Sequence, residues 1–274
     1  MPVRILSEAR PAGTRRFVSA TMAIGVAAML ASVADAAEVR VMVSGGLSAA
    51  FRELLPEFER ASGDQVITAF GPSMGKTWDA IPARLSRGEP VDVLIMSGDV
   101  LGDLIKQAKV VGDSRTDLAR SPIGVAVRAG TPKPDIGSVD ALKRTLLTAK
   151  SLAYSESASG VYLETELFKN LGIADQMKGK RRMSPDETVG QAVARGEAEI
   201  GFQQISEWNN VEGIDLVGPL PSEVQKMTVF SAGIAVGARE PAPGRALIAF
   251  LASPTAAAII TKTGLYPIVS AGRK

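Results

Sequence analysis

The chain has 274 residues, with 31 basic and 29 acidic side chains and neither cysteine nor histidine. Without cysteine it can form no disulfide and use no thiol chemistry, and without histidine as well it lacks the usual zinc sites and the serine–histidine triad. The nearly balanced charge gives no indication of a nucleic-acid partner, and the length suffices for one large or two small domains.

The first 36 residues have the features of a secretory signal peptide. Four arginines precede an uncharged apolar run over residues 17–33, and Ala34-Asp35-Ala36 supplies the small residues of a cleavage site. We expect cleavage after Ala36 or Ala37 and export to the periplasm by the general secretory or the twin-arginine route. A membrane anchor is disfavoured because the apolar run is short and ends in the cleavage pattern. The remaining chain has 27 residues of each charge sign, and we expect a monomer without stable membrane insertion.

Strand and helix patterns alternate along the first part of the mature chain. The predicted strands are residues 38–43, 65–70 and 91–96. The predicted helices are residues 47–60, 76–87 and 99–107. Three strand–turn–helix units in succession predict parallel strands joined by crossover helices, as in an α/β fold.

The same mixed pattern continues after a polar, breaker-containing stretch over residues 112–122, for which no element is predicted. The later predicted strands are residues 123–127, 151–154, 199–203, 215–217 and 228–236. The later predicted helices are residues 140–149, 161–171, 186–195, 245–251 and 255–263.

Three strand-to-helix turns combine glycine with serine: residues 44–46, 71–75 and 155–160. At a helix start the first backbone N–H groups have no intrahelical acceptor, and the helix dipole favours negative charge. Ordinary helix capping also explains each turn taken alone. Three such turns at the carboxyl ends of successive parallel strands favour an anion-binding pocket, because ligands of open α/β sheets bind there.

These turns lie in segments that resemble the molybdate-binding-like solute receptors of the periplasm, which have the type 2 periplasmic binding protein fold. The resemblance covers residues 38–268 and is carried by VRVMVSGGLSAAFRELLPEFERASG, AFGPSMG, LSRGEPVDVLIMSG, DLARSPIGVAVRAG, SASGVYLETELFKNLGI, VARGEAEIGFQQISE and FLASPTAAAIITKTGLYPI. It implies two α/β lobes with parallel-rich sheets and a ligand cleft between them. The implied boundaries are residues 38–120 with 229–274 for lobe one and 121–228 for lobe two.

The chain departs from the family's usual molybdate contacts in three places. Gly46 stands where the family has a ligand serine, Ser73-Met74 replaces paired serines, and Gln203-Gln204 stands near a ligand tyrosine. The resemblance therefore implies a receptor for a larger anion, such as an organic carboxylate, that hands its ligand to an ABC importer. A related branch contains an aconitate isomerase, which leaves an alternative open: interconversion of cis- and trans-aconitate by cofactor-free allylic proton transfer.

The candidate site residues come from the three turns and from the end of one strand. The candidate ligand-binding residues are Ser44, Gly45, Gly46, Ser73, Met74, Lys76, Ser157, Ser159, Gly160, Tyr162 and Gln203. Gln203 is preferred to Gln204 because strand alternation turns only one of the two inward. An isomerase also needs a base, and the candidates that remain without His or Cys are Glu156, Lys76, Tyr162 and Glu207. Neither a metal nor a cofactor is expected.

Overall fold

Two β-sheets, one of six strands and one of four, organise the chain in a computed structural model that describes residues 36–183 and 187–269. These residues belong to one compact unit. The predicted signal peptide, apart from Ala36, lies outside the described residues.

The first part of the chain supplies four strands of the six-stranded sheet. Its elements are β1 (Glu38–Val43), α1 (Gly45–Ser62), β2 (Gln65–Phe70), α2 (Ile81–Ser86), β3 (Val93–Ser97), α3 (Gly98–Lys106) and β4 (Thr116–Ser121). Strand β1 pairs in parallel with both β2 and β3, so the crossover arrangement predicted from the sequence is confirmed.

The rest of the chain builds the four-stranded sheet and then returns to the first one. Its elements are β5 (Ile123–Arg128), α4 (Val139–Thr148), β6 (Leu152–Ala153), α5 (Ala158–Tyr162), α6 (Phe168–Asn170), α7 (Ala174–Met177), α8 (Val189–Ala194), β7 (Ile200–Gln204), β8 (Ile214–Pro219), β9 (Thr228–Ile234), α9 (Pro241–Leu251), α10 (Pro254–Lys262) and β10 (Tyr266–Pro267). A π-helical turn, Leu163–Leu167, joins α5 to α6, and Ile205–Trp208 forms a 3₁₀ helix directly after β7.

The strand order is β10-β4-β9-β3-β1-β2 in the first sheet and β6-β7-β5-β8 in the second. The first sheet and its helices are called lobe one, and the second sheet and its helices are called lobe two. The chain passes between the sheets after β4 and again before β9. Each sheet has its own apolar cluster, centred on residues such as Phe51 and Leu118 in lobe one and on Phe202 and Leu142 in lobe two.

Helix α1 packs on the first sheet through one apolar face. Leu47, Phe51, Leu54 and Phe58 are buried at the spacing of successive helical turns, which holds the helix against the strands. The backbone N–H of Ser44 donates to the Ile95 carbonyl at 2.8 Å. This bond ties the start of α1 to the carboxyl end of β3, where the ligand of an open parallel sheet is expected.

Two predicted features of lobe one differ from the structure. The helix predicted over residues 76–87 is present only as Ile81–Ser86, because the chain before it folds back on itself. Gly75 has φ +96°, and the Ile81 N–H donates to the Pro72 carbonyl at 3.0 Å. The polar stretch before Pro122, for which no element was predicted, contains strand β4. It is held by antiparallel pairing to β9 on one side and to β10 on the other.

No single helix among the described residues has the length and hydropathy of a membrane span. Helices α9 and α10 reach that threshold only when taken as a pair, and they meet at a bend of 63°.

Candidate functional site

A cavity of about 730 Å³ lies between the two lobes. Its lining residues are Ser44, Gly45, Gly46, Phe70, Gly71, Pro72, Ser73, Thr77, Trp78, Asp79, Ser155, Ser157, Ala158, Met183, Glu187, Thr188, Val189, Gln203, Gln204, Glu207 and Phe230. Of the candidates from the sequence, Ser44, Gly45, Gly46, Ser73, Ser157, Gln203 and Glu207 line this cleft. Met74, Lys76, Glu156, Ser159, Gly160 and Tyr162 are absent from its lining.

The first serine–glycine turn presents an unused hydroxyl to the cleft. Ser44 is only 2% exposed, its side chain makes no capping bond to α1, and its Oγ has no hydrogen-bond partner. Capping therefore does not account for this serine. A buried polar atom without a partner is costly, so the geometry favours a ligand atom beside Ser44 and the first N–H groups of α1.

The second turn supplies one buried hydroxyl, while its remaining candidates point elsewhere. Ser73 Oγ accepts a hydrogen bond from the Ser97 N–H at 2.9 Å. Because a hydroxyl can accept and donate at the same time, the Ser73 O–H remains available to an anion. Lys76 is exposed and Met74 is partly buried, and neither side chain reaches the cleft lining.

The third turn contains a chain of three hydroxyls that runs inward from the cleft. Ser155 Oγ donates to Ser157 Oγ at 2.7 Å, and Ser157 Oγ lies 3.3 Å from Ser159 Oγ. Ser159 is fully buried behind the lining, where it can orient Ser157. Gly160 has a packing role, because a Cβ there would come within 1.8 Å of the Ser155 carbonyl oxygen.

Two of the candidate bases have partners away from the cleft. The Tyr162 hydroxyl donates to the Val224 carbonyl at 2.7 Å, and burial raises the pKa of this phenol, with the Glu166 charge adding to the effect. Glu156 is exposed, and its carboxylate lies 3.7 Å from the Arg181 guanidinium. The geometry gives neither residue the position of a base on a bound ligand.

Both glutamines at the end of β7 line the cleft, although strand alternation predicts only one of them there. Gln203 Nε2 donates to the Glu207 carbonyl at 3.0 Å, whereas Gln204 Nε2 donates to Thr228 Oγ1 at 2.9 Å. Gln204 is 3% exposed and its Oε1 has no partner. The chain turns into the 3₁₀ helix directly after Gln204, which ends the alternation at this point.

Glu207 lies at the contact between the lobes. Its Oε2 accepts a hydrogen bond from the Gln204 N–H at 3.1 Å, and its Oε1 lies so close to Gly45 that a Cβ there would be 2.2 Å away. One residue earlier, Ser206 Oγ donates to the Gly46 carbonyl at 2.6 Å. Burial raises the pKa of Glu207 to about 7, against the opposing effect of the Gln204 N–H. A carboxyl group that titrates near neutral pH can both take and return a proton.

The sequence interpretation missed the apolar and acidic parts of the lining. Phe70, Trp78 and Phe230 contribute aromatic surface, and the Phe230 ring packs so closely on Gly46 that a Cβ there would lie 2.1 Å from it. Asp79 and Glu187 add carboxyl groups. These residues come from separate loops and strands, so no local sequence pattern identifies them. No group of three acidic side chains placed to hold a metal ion occurs within residues 36–183 and 187–269.

Comparisons with known proteins show what this arrangement resembles. The family described as bacterial extracellular solute-binding protein matches residues 39–266. An aconitate isomerase from Pseudomonas sp. is 46% identical over 252 residues, which cover 90% of this chain and 96% of the relative. A molybdate-binding protein from Azotobacter vinelandii is 28% identical over 254 residues, which cover 87% of this chain and 93% of that protein.

A solved structure with the same fold is the periplasmic molybdate-binding protein of Azotobacter vinelandii. It superposes with a TM-score of 0.65 at 20% identity, covering 83% of this chain and 98% of that one. The two-lobed α/β fold expected from the sequence is thereby confirmed. The chain belongs to the bacterial extracellular solute-binding protein family, in its molybdate-binding-like group.

Proposed function

We propose that this protein isomerises an unsaturated polycarboxylate of the aconitate type by moving a proton within the cleft. The observation that carries the proposal is Glu207, a cleft carboxyl with a pKa of about 7 that lies against the N-terminal turn of α1. The identity of 46% to an aconitate isomerase along most of both chains supports the same reaction.

The proposed chemistry is an allylic proton shift. The Glu207 carboxylate takes a proton from the methylene carbon of the substrate, and the C–H electron pair becomes a new double bond to the central carbon. The former double bond supplies the electron pair that accepts the proton back at the other carbon. The N–H groups of α1 and the Ser44 hydroxyl would stabilise the delocalised anion between the two steps.

The size and lining of the cleft support an organic substrate. A cavity of about 730 Å³ lies in the range that holds small organic ligands, whereas a tetrahedral oxyanion would leave most of it to water. The rings of Phe70, Trp78 and Phe230 give the hydrocarbon part of such a ligand apolar surface to contact.

Replacement of the proposed base tests the reaction. We expect Glu207→Gln to lower kcat for cis-aconitate about 100-fold or more, while affinity changes little, because the amide keeps the size of the carboxyl but cannot accept the proton. Glu212→Gln, an exposed residue of the same lobe, is the matched control and should keep wild-type kcat. Equal activity of wild-type and Glu207→Gln would remove Glu207 as the base.

A second candidate function is supported by the family itself. The same cleft could serve a periplasmic receptor that binds a small anion, an organic carboxylate or an oxyanion, and delivers it to an ABC importer. A receptor requires closure around the ligand but no base. Tight binding of molybdate, sulfate, citrate or aconitate in calorimetry, without any change to the bound acid, would favour this function.

Both proposed functions are those of an exported protein. We propose that residues 1–36 direct export to the periplasm and are removed near Ala36, leaving a monomer. The proposed lobe boundaries are those given by the resemblance, residues 38–120 with 229–274 and residues 121–228, except that Ser121 and Thr228 are paired in the first sheet and belong to lobe one. The family and the periplasmic relative support export.

A further inference from the structure

The charge of the cleft is unusual for a site that takes a polycarboxylate. Among the described residues its lining contains three acidic side chains, Asp79, Glu187 and Glu207, and neither lysine nor arginine. Glu187 is ion-paired with Arg195, whose side chain is half exposed. A fully ionised tricarboxylate would therefore meet only neutral donors and the N-terminus of α1.

The charges just outside the lining include both signs. Lys76 is exposed on the loop that carries Asp79, and Arg181 faces Glu156 on the opposite lobe. Arg52 and Arg87 lie over the lining rings of Phe70 and Trp78, each 3.7 Å from the ring centroid. The first turn of α1 carries no acidic residue, and the strands that pair with β7 contribute no charged side chain to the lining. Within the lining itself the three acidic side chains meet no cation, so a proton on the ligand would reduce the repulsion between the ligand and those carboxyl groups.

One buried atom in the lining calls for a hydrogen-bond donor. The amide of Gln204 uses its Nε2 on Thr228, at the start of β9. Its side chain is placed toward the Glu207 N–H as in a capping box, but Oε1 makes no hydrogen bond there and has no partner. A carbonyl oxygen can only accept, so an ionised carboxylate cannot satisfy it, whereas the O–H of a protonated carboxyl group can. Gln204 is 3% exposed, so bulk water is a poor substitute.

We propose that Gln204 recognises a protonated carboxyl group of the ligand, so that the cleft binds its polycarboxylate together with one proton. This inference rests on the polycarboxylate ligand proposed above and adds its protonation state. The last proton of a tricarboxylic acid is held more tightly than an isolated carboxyl proton, because the two ionised neighbours repel a third charge. Above the pKa of that group, binding must take a proton from water, and affinity falls as pH rises.

The opposite orientation of the Gln204 amide makes the opposite prediction. The Thr228 hydroxyl can donate as well as accept, so a turned amide would offer Nε2 to an ionised carboxylate. In that arrangement the ligand binds fully ionised, and no proton is taken up on binding. The pH dependence of binding therefore distinguishes a protonated from an ionised carboxyl group at Gln204.

The test measures binding of propane-1,2,3-tricarboxylate, a saturated acid that cannot isomerise. Calorimetry of the mature protein between pH 6 and pH 9, in two buffers of different ionisation enthalpy, gives both Kd and the number of protons taken up. We expect Kd to rise about tenfold per pH unit above the highest pKa of the acid, with about one proton taken up there. Affinity that is constant over this range, without proton uptake, would overturn the inference.

Two variants locate the proton. Glu207→Gln removes the lining carboxyl group whose pKa is raised to about 7 and should retain the pH dependence, whereas Gln204→Met should lose it. Disappearance of proton uptake in Glu207→Gln would place the proton on Glu207 and contradict the role of Gln204. Gln204→Met that folds and keeps the proton uptake would also contradict the inference, and constant affinity of the wild-type protein overturns it even where Gln204→Met fails to fold. This test measures only binding. A protein that does not isomerise aconitate would therefore contradict the proposed reaction without contradicting this inference.

Discussion

Ser44 and Ser73 both present hydroxyl groups to the cleft, but different contacts leave those groups available. Ser44 Oγ has no partner, whereas Ser73 Oγ accepts a bond from Ser97 and keeps its proton to donate. We expect Ser44→Ala and Ser73→Ala each to weaken binding of an anionic ligand by about 1–3 kcal/mol, the cost of one lost donor to a charged acceptor. Titration calorimetry measures this loss, and Ser86→Ala, on the exposed end of α2, is the control. Unchanged affinity in both variants would remove these serines from the site.

The sequence identified these serines because the turns that carry them are local. Glu207 was one of four candidate bases that spacing alone could not separate, and its place in the cleft lining and its contact with Gly45 from the other lobe distinguish it. Gln204 and Phe230 were not selected, since their surroundings depend on strands and loops distant in the sequence. Local chemistry is thus readable from the sequence, whereas a cleft assembled from two lobes is not.

At the scale of elements, the start of α1 and the 3₁₀ helix after β7 form one cross-lobe contact. A Cβ on Gly45 would lie 2.2 Å from Glu207 Oε1, so Gly45→Ala should push that carboxyl away from α1. We expect a loss of activity on aconitate of at least about tenfold with the fold preserved. Gly102→Ala in α3 is the matched control, because a Cβ there meets only the flexible Arg115 side chain, at 3.4 Å. Full activity in Gly45→Ala would contradict a precise placement of Glu207 by this contact.

The elements themselves were largely predictable, and the two misses have different causes. Strand β4 carries Asp117 and Arg120, so its local pattern is polar, and its conformation comes from pairing with β9 more than a hundred residues later. The over-long helix at residues 76–87 was predicted from composition, whereas Gly75 and the bond between Ile81 and Pro72 hold its first part as a loop. Hydrophobic periodicity gives the elements, whereas long-range pairing decides the first exception and a local backbone turn the second.

Glu207 links the free energy of unfolding of the protein to pH. Its pKa is about 7 in the folded protein and 4.5 ordinarily, so between these values the native state holds more protons than the unfolded state. Stability therefore falls as pH rises through this window, by roughly 1–3 kcal/mol from this residue. Urea unfolding measures the free energy of unfolding of wild-type and Glu207→Gln. Between pH 5 and pH 8 the variant should become more stable relative to wild-type by that amount. A difference that stays constant across this range would refute the raised pKa.

If the cleft moves a proton on an unsaturated polycarboxylate, as proposed, solvent hydrogen must exchange into the ligand, and this exchange can be measured. The mature protein is incubated with cis-aconitate in D₂O at neutral pH, and proton NMR follows the methylene and vinyl signals. We expect trans-aconitate to appear together with deuterium at the methylene position, and both to be abolished in Glu207→Gln. A wild-type protein that binds aconitate but yields neither isomer nor deuterium would contradict the enzyme and leave a receptor.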